Sequence, residues 1–450
     1  MVSQRLRLTV IGVGYLGLTH AACMADLGHD VLAIDTDHDR IARVSAGEMP
    51  FFEPGLESLL RKGLETGRLR FTTSYADIGE FGDVHFLCVG TPQGADGAAD
   101  LSYVTQAADA LAPHLRPGCL IAGKSTVPAG TARKLLGRIR TAAPAGAEVD
   151  LAWNPEFLRE GNAVQDTLRP DRFVFGVTSQ RAEALLRRVY EQPLADGIPA
   201  LTMGLETAEL VKVSANAFLA TKISFINAVA DACEAAGADV TQLAEALAHD
   251  ERIGRRAMAP GLGFGGGCLP KDIRAFRAAA ATLGVDSIVS LLGDVDEINK
   301  SRRSRVVDMA RHAVGGSLAG KRVAALGLAF KPNSDDVRDS PSLDVCGRLA
   351  AEGAIVSAHD PVALENASLL RPDLRYAKSV FEAAEGADLV LHLTEWTEYR
   401  SIEPSALAEV VAQRRVIDAR CVLDVRAWES AGWTVRTVGR SANLRDAAAS

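Results

Sequence analysis

The chain lacks paired cysteine motifs, histidine ligand spacing, a basic excess and any long apolar run. Its cysteines (Cys23, Cys88, Cys119, Cys233, Cys268, Cys346, Cys421) are odd in number and scattered, with no C-x-x-C pair. That argues against a disulfide scaffold and fits a reducing compartment, where most would serve as small buried hydrophobes. The nine histidines show no ligand spacing, so no structural metal is expected. A net charge of −8 leaves no basic tail for nucleic acid and suits solubility. No uninterrupted apolar run approaches ~20 residues, so no membrane span is expected. From Met1 the chain runs almost at once into a strand, with Arg5 and Arg7 at its start. No secretory leader is therefore expected, and the protein reads as cytoplasmic.

What is present is ordinary for a globular protein, 48% hydrophobic and 24% charged, and 450 residues imply two or three domains. The first third alternates strand and helix patterns. Leu6–Ile11, Asp30–Asp35, Val84–Val89, Leu120–Lys124 and Val149–Trp153 read as strands, and Leu16–Leu27 as an Ala-rich helix ending at Gly28. This alternation implies a parallel, doubly wound sheet. Glu206–Ala236 carries no Gly or Pro and reads as one long spine helix, with further helix over Thr241–His249, Ile273–Leu283 and Ser287–Val314, with a possible break at Gly293. Gly315-Gly316-Ser317 marks a joint, after which strands Lys321–Leu326, Ala354–His359, Ala387–Leu393 and Arg415–Asp418 and helix Ser342–Ala351 repeat the α/β pattern. The expected fold is α/β, with two Rossmann-like doubly wound domains joined by a long central helix and a helical middle domain. The divisions fall at 1–205, 206–314 and 315–440, with a disordered tail at 441–450.

Gly12-Val13-Gly14-Tyr15-Leu16-Gly17 lies between the first strand and the first helix, and Asp35 closes the second strand. The first glycine makes the turn, the second admits a pyrophosphate, and the third packs helix on strand. The helix start offers unpaired N–H groups to phosphate. Asp35 would accept the ribose hydroxyls and repel a 2′-phosphate, so NAD is preferred to NADP. Arg40 keeps the second cofactor open, because an arginine can meet a 2′-phosphate. The second α/β domain has no such fingerprint. Lys331 and Arg338 stand after its first strand, where they suit a different nucleotide held by cations. Taken alone, they are more economically solvated surface charges.

Polar groups also stand where a purely structural role is uneasy. Lys124-Ser125-Thr126-Val127-Pro128 and Trp153-Asn154-Pro155-Glu156-Phe157-Leu158-Arg159-Glu160-Gly161 each follow a strand, at the carboxyl edge where open sheets bind ligands. Glu156 and Glu160 share a face if that loop turns helical; ordinary loop and cap chemistry explains them equally well. Lys212 and Asn216 are one turn apart on the apolar spine helix, where they need partners or a snorkelling route to water. Gly263-Phe264-Gly265-Gly266-Gly267-Cys268-Leu269-Pro270-Lys271-Asp272 sets a thiol at the end of a flexible loop. The glycines admit close approach of a ligand, and Lys271 would favour the thiolate. For a lone cysteine beside a turn, a buried structural thiol is nevertheless the commoner outcome.

Together these residues resemble the UDP-glucose/GDP-mannose dehydrogenase family, from about Leu6 to about Arg436. The resemblance rests on the Gly12–Gly17 fingerprint, Pro50-Phe51-Phe52-Glu53-Pro54-Gly55-Leu56, Val89-Gly90-Thr91-Pro92, Lys124–Pro128, Asn154–Gly161, Gly263–Asp272, Ala329–Pro341 and Asp418-Ala419-Arg420. It departs at Gly267, where many relatives have Ser, and at Ala419, where many have Gly. The resemblance implies oxidation of a nucleotide sugar's primary alcohol to a carboxylate with two NAD per turnover. Cys268 would be the nucleophile, carrying first a thiohemiacetal and then a thioester. Lys212 and Asn216 would stabilise the developing oxyanion. Asp272 would position or deprotonate water, with Thr126 and Glu156 holding it. Segment Glu156–Glu160 (with Phe157, Leu158 and Arg159) would line the substrate, Glu160 also near the nicotinamide. Phe264 and Gly265 would line the sugar or nucleotide pocket, and Lys331 and Arg420 would hold phosphates or sugar hydroxyls. Thr91, Thr126, Lys271 and Arg338 would reach the cofactor. Arg252 would reach the substrate of a neighbouring subunit in a homodimer. Phe330–Pro341 looks more like the UDP-glucose branch than the GDP-mannose branch. The cysteine loop and the lysine–asparagine pair argue against an N-acetylated UDP-sugar, a catalytically inactive nucleotide-binding protein and a two-electron hydroxyacid dehydrogenase.

Overall fold

A computed structural model of the chain describes residues 5–144 and 148–440. The tail expected at 441–450 lies outside them. The chain divides into two compact units, one ending at Ala215 and the other beginning at Asn216.

The first unit is built on β1 (Arg7–Ile11), β2 (Asp30–Ile34), β3 (Leu69–Thr72), β4 (Val84–Leu87), β5 (Leu120–Gly123), β6 (Asp150–Trp153), β7 (Phe173–Gly176) and β8 (Ala200–Met203). They form one sheet in the order β3-β2-β1-β4-β5-β6-β7-β8. The central strands are continuous apolar runs because both faces are covered. Alternation sorts their side chains: Leu8, Val10, Val31, Ala33, Val84 and Phe86 enter one core, and Ile11, Ile34, Leu87, Ile121 and Leu151 the other. The parallel arrangement expected from sequence holds from β3 to β6. It breaks at β7, which pairs antiparallel to β6 through Trp153 and Gly176. The chain then returns to a β7–β8 parallel pair.

The second unit carries β9 (Arg322–Leu326), β10 (Ile355–His359), β11 (Arg375–Tyr376), β12 (Leu389–His392), β13 (Arg415–Asp418) and β14 (Thr434–Thr437). Their order is β11-β10-β9-β12-β13-β14, the doubly wound sequence of the first six strands of the other sheet. Ahead of this sheet lie helices Val240–Ala248, Leu269–Thr282 and Asp286–Ala313. The last runs unbroken through Gly293, where a break was considered possible, and its Val306, Val307, Met309 and Ala310 pack into the core of the second sheet. The helix expected from Ile273 begins at Leu269, because a proline in the first turn costs no hydrogen bond. Cys268 is thereby its N-cap residue.

The spine helix spans Leu205–Ala236. It is long and apolar enough to cross a bilayer, which no uninterrupted apolar run in the sequence announced. Its buried face, however, carries Glu209, Lys212, Asn216, Ser224 and Asn227, groups that hydrocarbon would penalise.

Gly123 tests the packing of the first sheet. A Cβ there would enter the indole of Trp153, its partner on β6. Gly123→Val should cost about 1–3 kcal/mol, read as a lower urea midpoint; an unchanged midpoint would show that the indole moves aside freely.

Candidate active site

In the first unit, parallel pairing of β2, β1, β4, β5 and β6 brings their carboxyl ends to one edge. The loops that follow carry Gly12–Gly17, Asp35, Thr91, Thr126 and Asn154–Gly161. The strand order reverses between β1 and β4, where such sheets bind dinucleotides. A side chain on Gly17 would collide with the Gly12 carbonyl, so helix and turn meet there by contact of backbone. Gly14 has nothing within 4 Å of a Cβ position, which leaves its backbone open for a pyrophosphate. The Asp35 carboxylate accepts from Val13 N at 2.8 Å and Asp37 N at 3.0 Å. Arg40 is turned onto Asp35 at 3.0 Å and Asp37 at 3.4 Å, which places a carboxylate where NADP would need a cation. These residues fit NAD. Thr91 Oγ1 donates to the Thr126 carbonyl at 2.9 Å, and Ser125 Oγ to that of Val89 at 2.6 Å, tying two edge loops together.

Beneath the edge, the buried Lys124 Nζ donates to Asn154 Oδ1 at 3.1 Å and Tyr190 Oη at 3.3 Å. Asn154 in turn donates to the Val174 carbonyl at 3.1 Å. This network anchors the start of the Asn154–Gly161 segment. That segment stays irregular through Arg159, so Glu156 and Glu160 do not gain the helical face considered above. Glu156 instead pairs with Lys212 Nζ at 3.0 Å and accepts from Leu158 N at 2.7 Å. Phe157 lies under the Arg172 guanidinium, 3.9 Å from ring centre, with Lys212 at 5.6 Å. Arg159, expected along the substrate, makes a two-pronged contact with Asp166 at 2.7 and 2.8 Å. Glu160 is buried.

In the second unit, the carboxylate of Asp272, 1% exposed, accepts from Asn216 Nδ2 at 2.7 Å and pairs with Lys271 Nζ at 2.6 Å. Asp272 lies in the first turn of the helix that Cys268 caps, its N–H bonded to the Cys268 carbonyl at 2.9 Å. Cys268 is exposed, Cys421 is partly covered, and the other five cysteines are buried. Burial pushes the thiols of Cys88 and Cys346 up to about 12 and that of Cys119 to about 11.

The glycine loop packs against protein rather than standing clear for a ligand. A Cβ on Gly266 would enter the Phe330 ring, and one on Gly267 the Arg338 guanidinium. Phe264 is buried, its N–H held by Asn299 Oδ1 at 2.8 Å, and Gly265 abuts Asp339 and Pro341. Arg338 pairs with Asp336 at 2.7 Å. Lys331 lies over Phe330, 5.3 Å from its ring centre. Arg420, with its side chain 10% exposed, spends its donors on carbonyls of Leu393 (2.6 Å), Gly263 (3.1 Å) and Phe330 (3.3 Å), so it clasps three loops. Arg252 projects to solvent, 89% exposed, and pairs with Asp250. Asp360, just beyond β10, corresponds in position to Asp35. It accepts from Leu328 N at 2.8 Å and Ala329 N at 3.0 Å, so its carboxylate is occupied by its own domain's loop. No local pattern marked Asp360; Glu53 and Asp339 stand inside the family motifs Pro50–Leu56 and Ala329–Pro341, but the partners they hold lie far away in the chain.

Residues 6–194, 206–301 and 324–425 match, in turn, the NAD binding domain, the central domain and the UDP binding domain of the UDP-glucose/GDP-mannose dehydrogenase family. The chain is 39% identical over 437 residues to the UDP-glucose 6-dehydrogenase TuaD of Bacillus subtilis, covering 97% of this chain and 94% of that one. It is likewise 39% identical to a UDP-glucose 6-dehydrogenase of Pseudomonas aeruginosa, over 97% and 98% of the two chains. A UDP-glucose dehydrogenase structure from Pyrobaculum islandicum superposes with a TM-score of 0.88 at 38% identity, over 95% and 96% of the two chains. A UDP-D-ManNAc dehydrogenase structure from Pyrococcus horikoshii superposes at 0.85 with 26% identity, over 97% and 99%. The chain belongs to the UDP-glucose/GDP-mannose dehydrogenase family. It is an NAD-dependent oxidoreductase.

Lys124 yields a pH prediction. Burial pushes its ammonium down to about 8, from an ordinary 10.5. Between those values the unfolded chain holds a proton that the folded one has released, so this group's contribution makes stability rise with pH. From pH 8 to 10 the wild type should gain on the order of 2 kcal/mol relative to Lys124→Met, measured by urea unfolding at both pH values. Parallel pH profiles would place the proton elsewhere.

Proposed function

We propose that the protein oxidises UDP-glucose to UDP-glucuronate in two NAD-dependent steps, with Cys268 holding the sugar between them. The observation that carries this reading is an exposed cysteine at the N-cap position of a helix whose first turn holds Asp272, itself bonded to Asn216 and Lys271. The sugar assignment is supported by higher identity to UDP-glucose dehydrogenases than to the UDP-D-ManNAc enzyme. In this reading residues 1–205 serve the cofactor, 206–314 the thiol chemistry and 315–440 the UDP-sugar.

NAD, when bound, accepts one hydride from C6 of the sugar in each oxidation. Gly12–Gly17 and Asp35 hold it, with Thr91 and Thr126 beside it. Once the alcohol has become an aldehyde, the Cys268 sulfur adds to the carbonyl carbon and the oxygen takes a proton, giving a thiohemiacetal. Negative charge on that sulfur is favoured at the start of a helix. Oxidation of the thiohemiacetal leaves a thioester. Lys212 and Asn216, one turn apart on the spine helix, serve the oxyanion that develops on the oxygen bonded to C6 of the sugar. Asp272 removes a proton from water as that water attacks the thioester, and the acid leaves while sulfur regains its proton. Thr126 and Glu156 hold the water. Segment Glu156–Glu160, Phe264, Gly265, Lys331 and Arg420 line or brace the substrate, and Lys271 and Arg338 face the cofactor.

A second copy of the chain completes the reading. Phe218 and Phe225, two turns apart on the spine helix, are exposed, as is Leu210. Apolar side chains in that alignment suit a helix-to-helix dimer contact, and Arg252 would then serve the neighbouring substrate. The cytoplasm suits a protein whose cysteines are free thiols.

The enzyme should form about two NADH per UDP-glucose consumed, and Cys268→Ala should bind NAD and UDP-glucose yet release no acid. A ratio near one, or acid release at the wild-type rate by the variant, would remove the thioester route. Replacing Phe218 and Phe225 together by Glu should shift the sedimenting species from dimer to monomer; an unchanged mass would move the dimer contact elsewhere.

A further inference from the structure

Glu53 lies in the connection between helices His38–Ser45 and Leu56–Glu65, and it is 5% exposed. A carboxylate removed from water needs donors. Here they come from two places far apart in the chain. One is the segment after β6: Gly161 N donates to Glu53 Oε2 at 2.7 Å and Ala163 N to Oε1 at 2.7 Å. The other is the cofactor turn, where the Tyr15 hydroxyl donates to Oε2. Gly161 N also lies 3.1 Å from that hydroxyl. Tyr15 is the first residue of the helix after Gly14, and its ring packs on Phe51 with centres 4.7 Å apart. Burial and the bond to Glu53 push the phenol far above its ordinary range, so it stays a donor at working pH. Gly161 has φ +76°, so Glu53 grips the segment at its turn.

We propose that Glu53 is a positioning residue that locks the segment bearing Glu156 and Glu160 to the dinucleotide-binding turn through Tyr15, holding the substrate carboxylates in register with the cofactor. The inference rests on the reading of Glu156 and Glu160 as substrate residues. Both oxygens of Glu53 face backbone N–H groups. A glutamine would therefore set its NH2 against one of them whichever way it turned. Tyr15→Phe keeps the ring and removes one of the three donors. Tyr15 reaches the segment through Glu53 and directly at Gly161 N, so its loss and that of Glu53 should be less than multiplicative.

The test uses the full-length enzyme and the variants Tyr15→Phe, Glu53→Gln and the double variant. The readouts are kcat and KM for UDP-glucose, Kd for NAD, and amide exchange over residues 154–165. The expected result is a fall in kcat of about tenfold in Tyr15→Phe and about a hundredfold in Glu53→Gln. UDP-glucose KM should rise, NAD Kd should stay within about threefold, and exchange at Gly161 and Ala163 should quicken. The double variant should lose less than the product of the two single losses. Wild-type kcat and KM in folded Glu53→Gln, or losses that multiply in the double variant, would overturn the proposal. If Glu53→Gln does not fold, Tyr15→Phe decides alone, and unchanged exchange at Gly161 and Ala163 counts against the lock. A wild type that does not turn over UDP-glucose sinks the functional reading, while amide exchange still reports on the lock.

Discussion

A carboxylate taken out of water must find donors, and in this protein many of those donors belong to loops at the ends of strands. Asp35 holds the N–H of Val13 in the cofactor turn. Glu53 holds Gly161 and Ala163. Asp360 holds Leu328 and Ala329 after β9, and Asp418 holds Arg420, Val422 and Leu423 after β13. Each pairing satisfies a wholly or partly buried charge and orders a loop in one step. An apolar contact would pack the same loop without fixing its register, because hydrophobic burial has no direction.

The two sheets share a strand order yet use their acids in opposite ways. Asp35 is partly exposed and stands beside Arg40 at the edge of its sheet. Asp360 is buried, and besides the two amides it accepts from the Trp396 indole at 3.3 Å. With the amides of Leu328, Ala329, Val362 and Ala363 and the Trp396 indole all on it, Asp360 has no capacity left for ribose hydroxyls, whereas Asp35 carries only Val13 N, Asp37 N and Arg40 among these bonds. The difference between a dinucleotide domain and a domain for another nucleotide is thus visible in hydrogen-bond occupancy, with no change of topology.

Much of this was legible in the sequence where periodicity was strong. The continuous apolar runs of β1, β4, β5 and β6, the fingerprint between β1 and the first helix, and the long helix from Leu205 all lie within a residue or two of expectation. β3, β7, β8, β11 and β14 escaped notice: β3, β8, β11 and β14 are short, partly exposed strands near sheet edges without a continuous buried run, and β7 is buried throughout but only four residues long. The helix after Cys268 starts at Leu269, earlier than the expected Ile273, since the first turn tolerates Pro270. The reversal at β7 has no local cause in its own residues. Glu53 stood inside the Pro50–Leu56 motif, but its role was not legible, because its backbone donors lie 108 and 110 positions away and no spacing rule reaches that far.

Chemical choice among the cysteines follows from the same constraint on buried charge. A thiol serves as a nucleophile through its anion, and desolvation opposes that anion. Cys88, Cys119 and Cys346 are pushed up by burial and packed as hydrophobes in the cores of the two sheets. Cys268, by contrast, is exposed at the start of the helix beginning at Leu269, and its glycine loop packs against Arg338, Asp336 and Phe330. The glycines therefore do a different task from the one their composition suggests. They let a neighbouring loop come close enough to brace the cysteine's loop from one side, while the residue itself stays exposed.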